Sequence, residues 1–296
     1  MDGLIPGAAR RILRRGDLAF TAWEMGQGPL VLFVHGFPDT PATWRPLLPR
    51  VAARGFRAVA VTCRGYEPSS RPADADFGLM ELVDDVLGWL DALDAPSAHL
   101  IGHDWGSSLV QLAAAKAPQR VVSLTLLAVA HPAAFAALLP ADFAQLERTW
   151  YIQFLQAPGA AEAVAADGRF LEWLWRRWSP GWEPDPGPLA AMRAAFAEPG
   201  VLDSALAYYR RAFADDHPRF AEALALLGRA IPCPALGLAG ALDTCVLPTA
   251  FERALPPEIF TAGRTVQVVP DAGHFLHLEQ PTRVADAVTA WLAGRR

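Results

Sequence analysis

The sequence contains little cysteine, a single lysine and no long uninterrupted apolar segment. Its three cysteines, Cys63, Cys233 and Cys245, are an odd and widely spaced set. That spacing provides neither a disulfide framework nor a zinc ligand set. No apolar run reaches the roughly 18 residues that a membrane-spanning helix requires. Lys116 is the only lysine, so arginine supplies the remaining cations.

A surplus of positive charge is also absent. The formal net charge is -5, so the chain has no basic excess with which to neutralise phosphates, and we expect no nucleic-acid partner. Hydrophobic residues make up 52% of the chain, which excludes disorder over most of its length.

The N-terminal region carries Arg10, Arg11, Arg14 and Arg15 without a following apolar segment. We interpret these arginines as a solvated face and expect no secretory signal and no membrane contact. A cytoplasmic location is therefore expected, and the sequence is compatible with a monomer or a homodimer.

Short apolar runs alternate with helical patterns up to about residue 132. Leu30–Val34 is a continuous apolar run that predicts a buried strand, and Phe56–Thr62 predicts a second one. Asp76–Leu93 has apolar residues at helical spacing. The alternation continues with a strand, a helix and a strand over Ala98–Ile101, Ser107–Ala117 and Val121–Val129. Continuous apolar strands between helices predict a mostly parallel α/β sheet covered on both faces.

The pattern changes over residues 133–229, where alanine and aromatic residues predominate and several helices are predicted. Strand patterns resume at Ala235–Ala239 and Thr265–Val269, and a last helix is predicted over Pro281–Ala293. We therefore predict an α/β core formed by residues 1–132 and 230–296, with a helical lid of residues 133–229 inserted into it.

The segment Gly102-His103-Asp104-Trp105-Gly106-Ser107 follows a predicted strand and opens a predicted helix. Such a sharp turn strains its central residue, Asp104, and requires small neighbours, which Gly102 and Gly106 provide. A carboxylate at this position is ionised at pH 7 and can attack an sp3 carbon without a base, forming an ester. The alternative is that Asp104 only caps the helix.

A second motif, His35-Gly36-Phe37-Pro38-Asp39, follows the strand Leu30–Val34. A loop in this place can direct a backbone N–H into the site, so the amides of Phe37 and Trp105 are our candidates for an oxyanion hole. The alternative is an ordinary Gly-Pro turn.

Asp243 and His274 follow the last two predicted strands, which gives the chain order nucleophile, acid, histidine. Hydrogen bonding between them would fix the tautomer of His274 and leave one ring nitrogen free as a base. Asp271 is a competing acid, although its position favours a role in the turn. His274 and His277 form an H-x-x-H pair, but the sequence shows no nearby third ligand, so we predict no metal site.

With these motifs the chain resembles the α/β-hydrolase superfamily over nearly its whole length. More narrowly, the loop at His35–Pro38, the segment Arg64-Gly65-Tyr66 and the turn at Gly102–Gly106 resemble the branch with an aspartate nucleophile. That branch contains epoxide hydrolases, haloalkane dehalogenases and haloacetate dehalogenases. The resemblance implies the α/β-hydrolase fold with an inserted lid and a reaction that needs no cofactor.

Two lid tyrosines distinguish the members of this branch, because epoxide hydrolases use them to hold and protonate the epoxide oxygen. Tyr151 and Tyr209 stand in segments that resemble the two tyrosine segments of that family, with Tyr208 as the neighbouring alternative to Tyr209. The alternative interpretation is that these tyrosines only pack the lid. Further substrate contacts are expected from residues that flank the motifs or line the lid, namely His35, Pro38, His103, Trp150, Phe154 and Tyr208.

The dehalogenase alternatives fit the sequence less well. Haloalkane dehalogenases often place an asparagine where Phe37 stands, and haloacetate dehalogenases typically have a His-Trp pair where Tyr151-Ile152 stands. We therefore expect an epoxide hydrolase acting on a small-to-medium apolar epoxide, with dehalogenation as the alternative activity. A catalytically inactive binding protein of the same fold is the alternative from another class.

Overall fold

The computed structural model describes residues 3–166 and 168–295. These residues contain one eight-stranded sheet whose spatial order is β1-β2-β4-β3-β5-β6-β7-β8. The strands in chain order are β1 Ala9–Arg15, β2 Leu18–Met25, β3 Leu30–Val34, β4 Arg57–Val61, β5 Ala98–His103, β6 Val121–Leu127, β7 Ala235–Gly240 and β8 Arg264–Val269. β2 pairs antiparallel with β1 and with β4, and all other neighbours are parallel. The predicted mostly parallel sheet is confirmed.

Helices cover the sheet, and their bounds follow the chain. Before β6 they are α1 Leu48–Ala52, α2 Leu79–Ala92 and α3 Trp105–Lys116. Between β6 and β7 they are α4 Pro132–Leu138, α5 Phe143–Arg148, α6 Trp150–Gln156, α7 Ala160–Ala166, α8 Phe170–Trp178, α9 Pro186–Ala197, α10 Val201–Arg211 and α11 Phe220–Leu227. After β7 they are α12 Pro248–Arg253, α13 Leu276–Glu279 and α14 Pro281–Ala293. No helix in the described ranges combines the length and apolar character needed to span a bilayer.

The core lies on both faces of the sheet, as expected for strands that are apolar along their whole length. β3 and β5 are neighbours in the middle of the sheet, and every residue of both is buried. Side chains of α2 and α3 pack on one face, while those of α1 and α14 pack on the other. The sheet therefore fixes the carboxyl ends of its central strands on a rigid support, and the candidate residues follow those ends.

The first two strands, β1 and β2, were not recognised from the sequence. β1 is an edge strand on which Arg10, Arg11 and Arg14 are exposed, while Leu13 is buried. Charged side chains on an edge strand discourage pairing with other chains, and here they leave one buried residue and no apolar alternation to recognise. Arg10, Arg11 and Arg14 are solvated as expected, but Arg15 is half-buried and pairs with Asp85 and Glu81.

The eight helices α4–α11 form a continuous insertion between β6 and β7. They begin at Pro132 and end at Leu227, close to the boundaries expected from the sequence. The status of residues 133–229 as a separate lid domain remains a prediction. Contacts with the core include a hydrogen bond of 2.7 Å from the Trp175 indole N–H to the carbonyl of Pro38.

Candidate active site

Asp104 occupies the turn between β5 and α3 and has φ 52° and ψ -121°. A Cβ added to Gly106 would lie 2.0 Å from the carbonyl oxygen of Val34, and one added to Gly102 would lie 2.3 Å from the carbonyl oxygen of Gly106. Only glycine fits at either position, which explains the spacing of the motif. The carboxylate of Asp104 makes no capping bond to α3, so helix capping does not explain this residue.

The loop after β3 meets this carboxylate directly. The Phe37 N–H donates a hydrogen bond of 2.7 Å to Asp104 Oδ1. A Cβ added to Gly36 would lie 2.4 Å from the same oxygen, so the loop approaches closely only because it contains glycine. Trp105 is the first residue of α3, and its amide is therefore one of the unpaired N–H groups expected at a helix start. Of the two amides predicted for the oxyanion hole, that of Phe37 therefore contacts the Asp104 carboxylate, and the part of the Trp105 amide remains a prediction.

His274 connects the predicted acid with the predicted nucleophile. Its Nδ1 lies 2.9 Å from Asp243 Oδ2, and its Nε2 lies 3.7 Å from Asp104 Oδ2. The other carboxylate oxygen of Asp243 accepts the N–H groups of Cys245 and Val246 at 2.7 and 3.0 Å. Asp243 is thereby held as an acceptor, so that the proton of His274 lies on Nδ1 and Nε2 faces Asp104.

The alternative acid, Asp271, does not take part in this arrangement. It is exposed and occupies the turn after β8 with φ 56°. Its role is the turn role that its position in the sequence favours.

The pKa values of Asp104 and His274 depend on the pairing of their buried charges. Burial lowers the pKa of His274, but the neighbouring Cys245, Asp243 and Asp104 raise it by more, so that the net pKa lies well above the usual value. Burial raises the pKa of the Cys245 thiol, which leaves the two carboxylates as the charges that act on His274 near pH 7. For Asp104, burial alone would raise the pKa, but hydrogen bonding and charge from His274 lower it below the usual value. Asp104 is therefore ionised at neutral pH.

Tyr151 and Tyr209 come from different helices of the insertion, α6 and α10, and both are buried. Their ring centroids lie 6.1 Å apart, and both hydroxyls interact electrostatically with Asp104. The Tyr151 hydroxyl lies 3.3 Å from Cys245 Sγ, and the Tyr209 hydroxyl has no hydrogen-bond partner among the described residues. Burial raises the pKa of both phenols well above the usual value, so both retain their protons at neutral pH.

Three residues expected to contact substrate are engaged in the protein interior. His35 accepts the N–H of Cys63 at Nε2 and donates from Nδ1 to its neighbour's carbonyl. His103 donates from Nε2 to the carbonyl of His274 at 3.0 Å, and Tyr208 donates its hydroxyl to the carbonyl of Arg64 at 2.9 Å. These hydrogen bonds give each residue a supporting role in a loop, and the expected contacts of His35, His103 and Tyr208 with substrate remain predictions.

On α6, Tyr151 and Leu155 are buried, whereas Trp150 is exposed and Phe154 is half-buried. Trp150 is 41% exposed and packs against Trp173, which is 45% exposed. Pro38 is buried, and its carbonyl accepts the Trp175 indole N–H. The contacts of Trp150, Phe154 and Pro38 with substrate remain predictions.

Two residues in the site were missed from the sequence. The carbonyl of Trp178 at the end of α8 accepts the N–H groups of both Thr244 and His274, so this helix holds the loops that carry Asp243 and His274. Cys245 lies between the Tyr151 hydroxyl and His274. Cys245 follows Asp243 by two positions, and this proximity was the only available signal.

Comparison with known proteins agrees with this geometry. A family model described as the α/β hydrolase fold matches residues 29–281. The chain belongs to the α/β-hydrolase fold family. The fold expected from the resemblance is therefore confirmed for this α/β hydrolase.

Relatives of this α/β hydrolase include named epoxide hydrolases. Epoxide hydrolase A of Mycobacterium tuberculosis (strain ATCC 25618 / H37Rv) is 30% identical, covering 96% of this chain and 97% of its own length. An epoxide hydrolase of Caballeronia sordidicola is 49% identical over 98 residues, which are 33% of this chain and 30% of that protein. The crystal structure of epoxide hydrolase A from Mycobacterium thermoresistibile has a TM-score of 0.81 and 28% identity, covering 98% of this chain and 99% of that one. The predicted similarity to epoxide hydrolases is confirmed.

Proposed function

We propose that this α/β hydrolase is an epoxide hydrolase that opens a small-to-medium, largely apolar epoxide to a vicinal diol. The observation that carries the proposal is the pair of buried, protonated phenols of Tyr151 and Tyr209, both within electrostatic reach of the Asp104 carboxylate. An alkoxide leaves poorly without an acid, and this site provides two acids beside the nucleophile. The similarity to named epoxide hydrolases supports the same conclusion.

In the first step, a carboxylate oxygen of Asp104 attacks a ring carbon of the epoxide. A carbon–oxygen bond forms while the ring carbon–oxygen bond breaks, and its electron pair moves to the epoxide oxygen. That oxygen takes a proton from Tyr151 or Tyr209, and the resulting phenolate recovers a proton from solvent. The product of this step is an ester between Asp104 and the opened substrate.

Ester formation changes the charge that acts on His274. The Asp104 carboxylate lies 3.7 Å from His274 Nε2 and holds the pKa of the imidazole up. An ester is uncharged, so esterification removes this stabilisation of the imidazolium and lowers the pKa of His274. The imidazolium then releases its Nε2 proton to solvent, and the neutral imidazole acts as a base after the ester has formed.

In the second step, His274 takes a proton from water, and the hydroxide adds to the ester carbonyl of Asp104. The amides of Phe37 and Trp105 stabilise the oxyanion that develops on the former carboxylate oxygen. Collapse of this tetrahedral species breaks the bond to the substrate oxygen, which leaves as the second hydroxyl of the diol after taking a proton from His274. Asp104 is regenerated and contains one oxygen from water.

The decisive experiment compares styrene oxide with a series of haloalkanes and haloacetate, assaying diol and halide side by side. We expect diol from the epoxide, and little halide. Single turnover in oxygen-18 water should place label in the Asp104 carboxylate, and Asp104→Ala should abolish turnover. Halide release without diol formation would refute the epoxide hydrolase assignment, and label found only in the product would refute the ester mechanism.

A further inference from the structure

Asp39, His103 and His277 form a second buried cluster behind the catalytic group. One ligand atom from each side chain lies within 4.8 Å of the other two. Exposure of these residues is 0%, 0% and 1%, so the cluster belongs to the interior of the protein. None of the three has a role in the reaction steps proposed above.

Each side chain of this cluster has one buried polar atom without a hydrogen-bond partner among the described residues. These atoms are Asp39 Oδ2, His103 Nδ1 and His277 Nδ1. A buried polar atom without a partner costs free energy, so three of them in one cluster require an explanation. A ligand that all three atoms bind would remove the cost at once.

The remaining polar atoms of the cluster are already engaged, and they determine which atoms are available. His103 Nε2–H donates to the carbonyl of His274 at 3.0 Å, and His277 Nε2 is hydrogen bonded to Thr43 Oγ1. A carbonyl only accepts, so His103 carries its proton on Nε2 and presents a lone pair at Nδ1. His277 presents the same lone pair in the tautomer that donates from Nε2 to Thr43 Oγ1. Asp39 Oδ1 accepts the N–H of Thr40 at 2.7 Å, which leaves Oδ2 free. Metal-binding histidines usually donate their second N–H to a carbonyl or another oxygen, as His103 does here.

We propose that Asp39, His103 and His277 form a binding site for a divalent transition-metal ion, with zinc as the ion best suited to this donor set. Two imidazole nitrogens and one carboxylate oxygen are a common zinc ligand set, and they also suit other first-row divalent ions. The sequence pair His274 and His277 suggested no such site, because the actual partners are distant in sequence. Asp39 follows β3 and His103 ends β5, whereas His277 lies in α13.

The position of the cluster defines what an ion there would do. Each ligand lies within three positions of a residue used in the proposed reaction. Asp39 follows Phe37, His103 precedes Asp104, and His277 follows His274. An ion would therefore tie these three catalytic segments together, as structural metals do elsewhere. Burial raises the pKa of Asp39 to about 8, so an ion that binds there displaces the carboxyl proton. Asp39 also interacts electrostatically with both Asp104 and His274, so the charge of the ion would act on these two residues. This assignment is independent of the substrate, because it concerns binding of an ion and not turnover.

The test is zinc retention by the full-length protein. The protein is stripped with a chelator during reversible partial unfolding, incubated with zinc chloride, passed through gel filtration and analysed for metal by mass spectrometry. Wild type should retain about one equivalent, and its unfolding temperature should rise with zinc. His277→Gln and the nearly isosteric Asp39→Asn should each weaken retention by at least about 10- to 100-fold, the range seen even for outer-shell changes.

His131→Gln is the matched control. His131 is also buried, and its Nε2 has no hydrogen-bond partner among the described residues, but it lies at the start of α4, outside the cluster. It should retain zinc as wild type does. If neither cluster variant folds, cobalt substitution of the wild type replaces them, with a ligand-field absorption spectrum as the expected result.

Three outcomes would overturn the assignment. In the first, the wild type retains no zinc and its unfolding temperature does not change. In the second, the cluster variants retain as much zinc as the His131 control. In the third, the cobalt-treated wild type shows no ligand-field absorption. Any of them would leave the cluster as a site for a buried water or a shared proton. None depends on epoxide turnover, so failure here is distinguishable from failure of the proposed function.

Discussion

Replacement of Asp243 by asparagine tests the proposal that Asp243 and His274 are needed for ester hydrolysis and not for ester formation. Asp243 Oδ1 accepts two backbone N–H groups, from Cys245 and Val246, at 2.7 and 3.0 Å. An asparagine would keep its single carbonyl oxygen toward these donors and direct its NH2 group toward His274 Nδ1. The ring nitrogen would then have to accept a hydrogen bond, which moves the proton of the neutral imidazole to Nε2. That nitrogen could no longer take a proton from water.

The size of the effect follows from two contributions. Loss of the charge-assisted hydrogen bond of 2.9 Å between Asp243 and His274 removes roughly 1.5–3 kcal/mol, or about 10- to 160-fold in rate. Loss of the base function removes a contribution of about 10²- to 10⁴-fold. These contributions overlap, so we expect hydrolysis of the ester to slow by about 10²- to 10⁴-fold. Ester formation needs no base and should slow by less than about tenfold.

Rapid-quench mass spectrometry of the peptide that contains Asp104 measures both rates, because the ester adds the mass of the substrate. The Asp243→Asn protein should accumulate this ester after one turnover. Asp271→Asn is the matched control, since this residue is exposed in a turn with φ 56° that asparagine tolerates. Equal slowing of both steps, or wild-type turnover in the Asp243 variant, would refute the role assigned to Asp243.

Three further predictions address the acid, the charge pairing and the support of the site. Tyr151→Phe should slow ring opening by about 10²- to 10⁴-fold, and the control Tyr208→Phe should not have a comparable effect. Rapid-quench kinetics measure ring opening, and equal losses in both variants would contradict the acid role of Tyr151. The raised pKa of His274 means that its pairing stabilises the folded state fully below the unfolded value of about 6.5 and less as the pH rises through the folded value. Wild type should therefore lose more thermal stability than His274→Gln between about pH 6 and about pH 9, and parallel curves would disprove this. Asp85→Ala should lower the free energy of unfolding by about 3–5 kcal/mol, measured by chemical denaturation, because it leaves the Arg64 guanidinium buried without its two hydrogen bonds of 2.7 Å. A loss below about 1 kcal/mol would show that water replaces the carboxylate.

The sequence predicted the interior strands and the nucleophile turn well. β3 has the predicted bounds Leu30–Val34, and α14 has the predicted bounds Pro281–Ala293. Both signals are local, since a continuous apolar run or a helical period is readable within one element. β1 was missed because exposed arginines surround its one buried residue, Leu13, and such charges at the edge of a sheet discourage pairing with other chains.

The sequence did not show how the side chains near the motifs are placed. His35 and His103 belong to the motifs and are hydrogen bonded to backbone groups. On α6, Trp150 is exposed and Phe154 is half-buried. Membership in a motif does not show which way a side chain points. Direction follows from the packing of whole elements, and for α6 that packing buries Tyr151 and Leu155 instead.

The sequence alone contains the pattern from which the chemistry was predicted. That pattern is a carboxylate between two glycines, followed along the chain by an aspartate and a histidine. Local steric demands impose that pattern, because only glycine allows the close approaches around Asp104. The tertiary structure decided what surrounds this carboxylate. The meeting of Tyr151 with Tyr209, and of Asp39 with His103 and His277, joins residues far apart in the chain. Such contacts depend on how helices and strands pack, which no local pattern encodes.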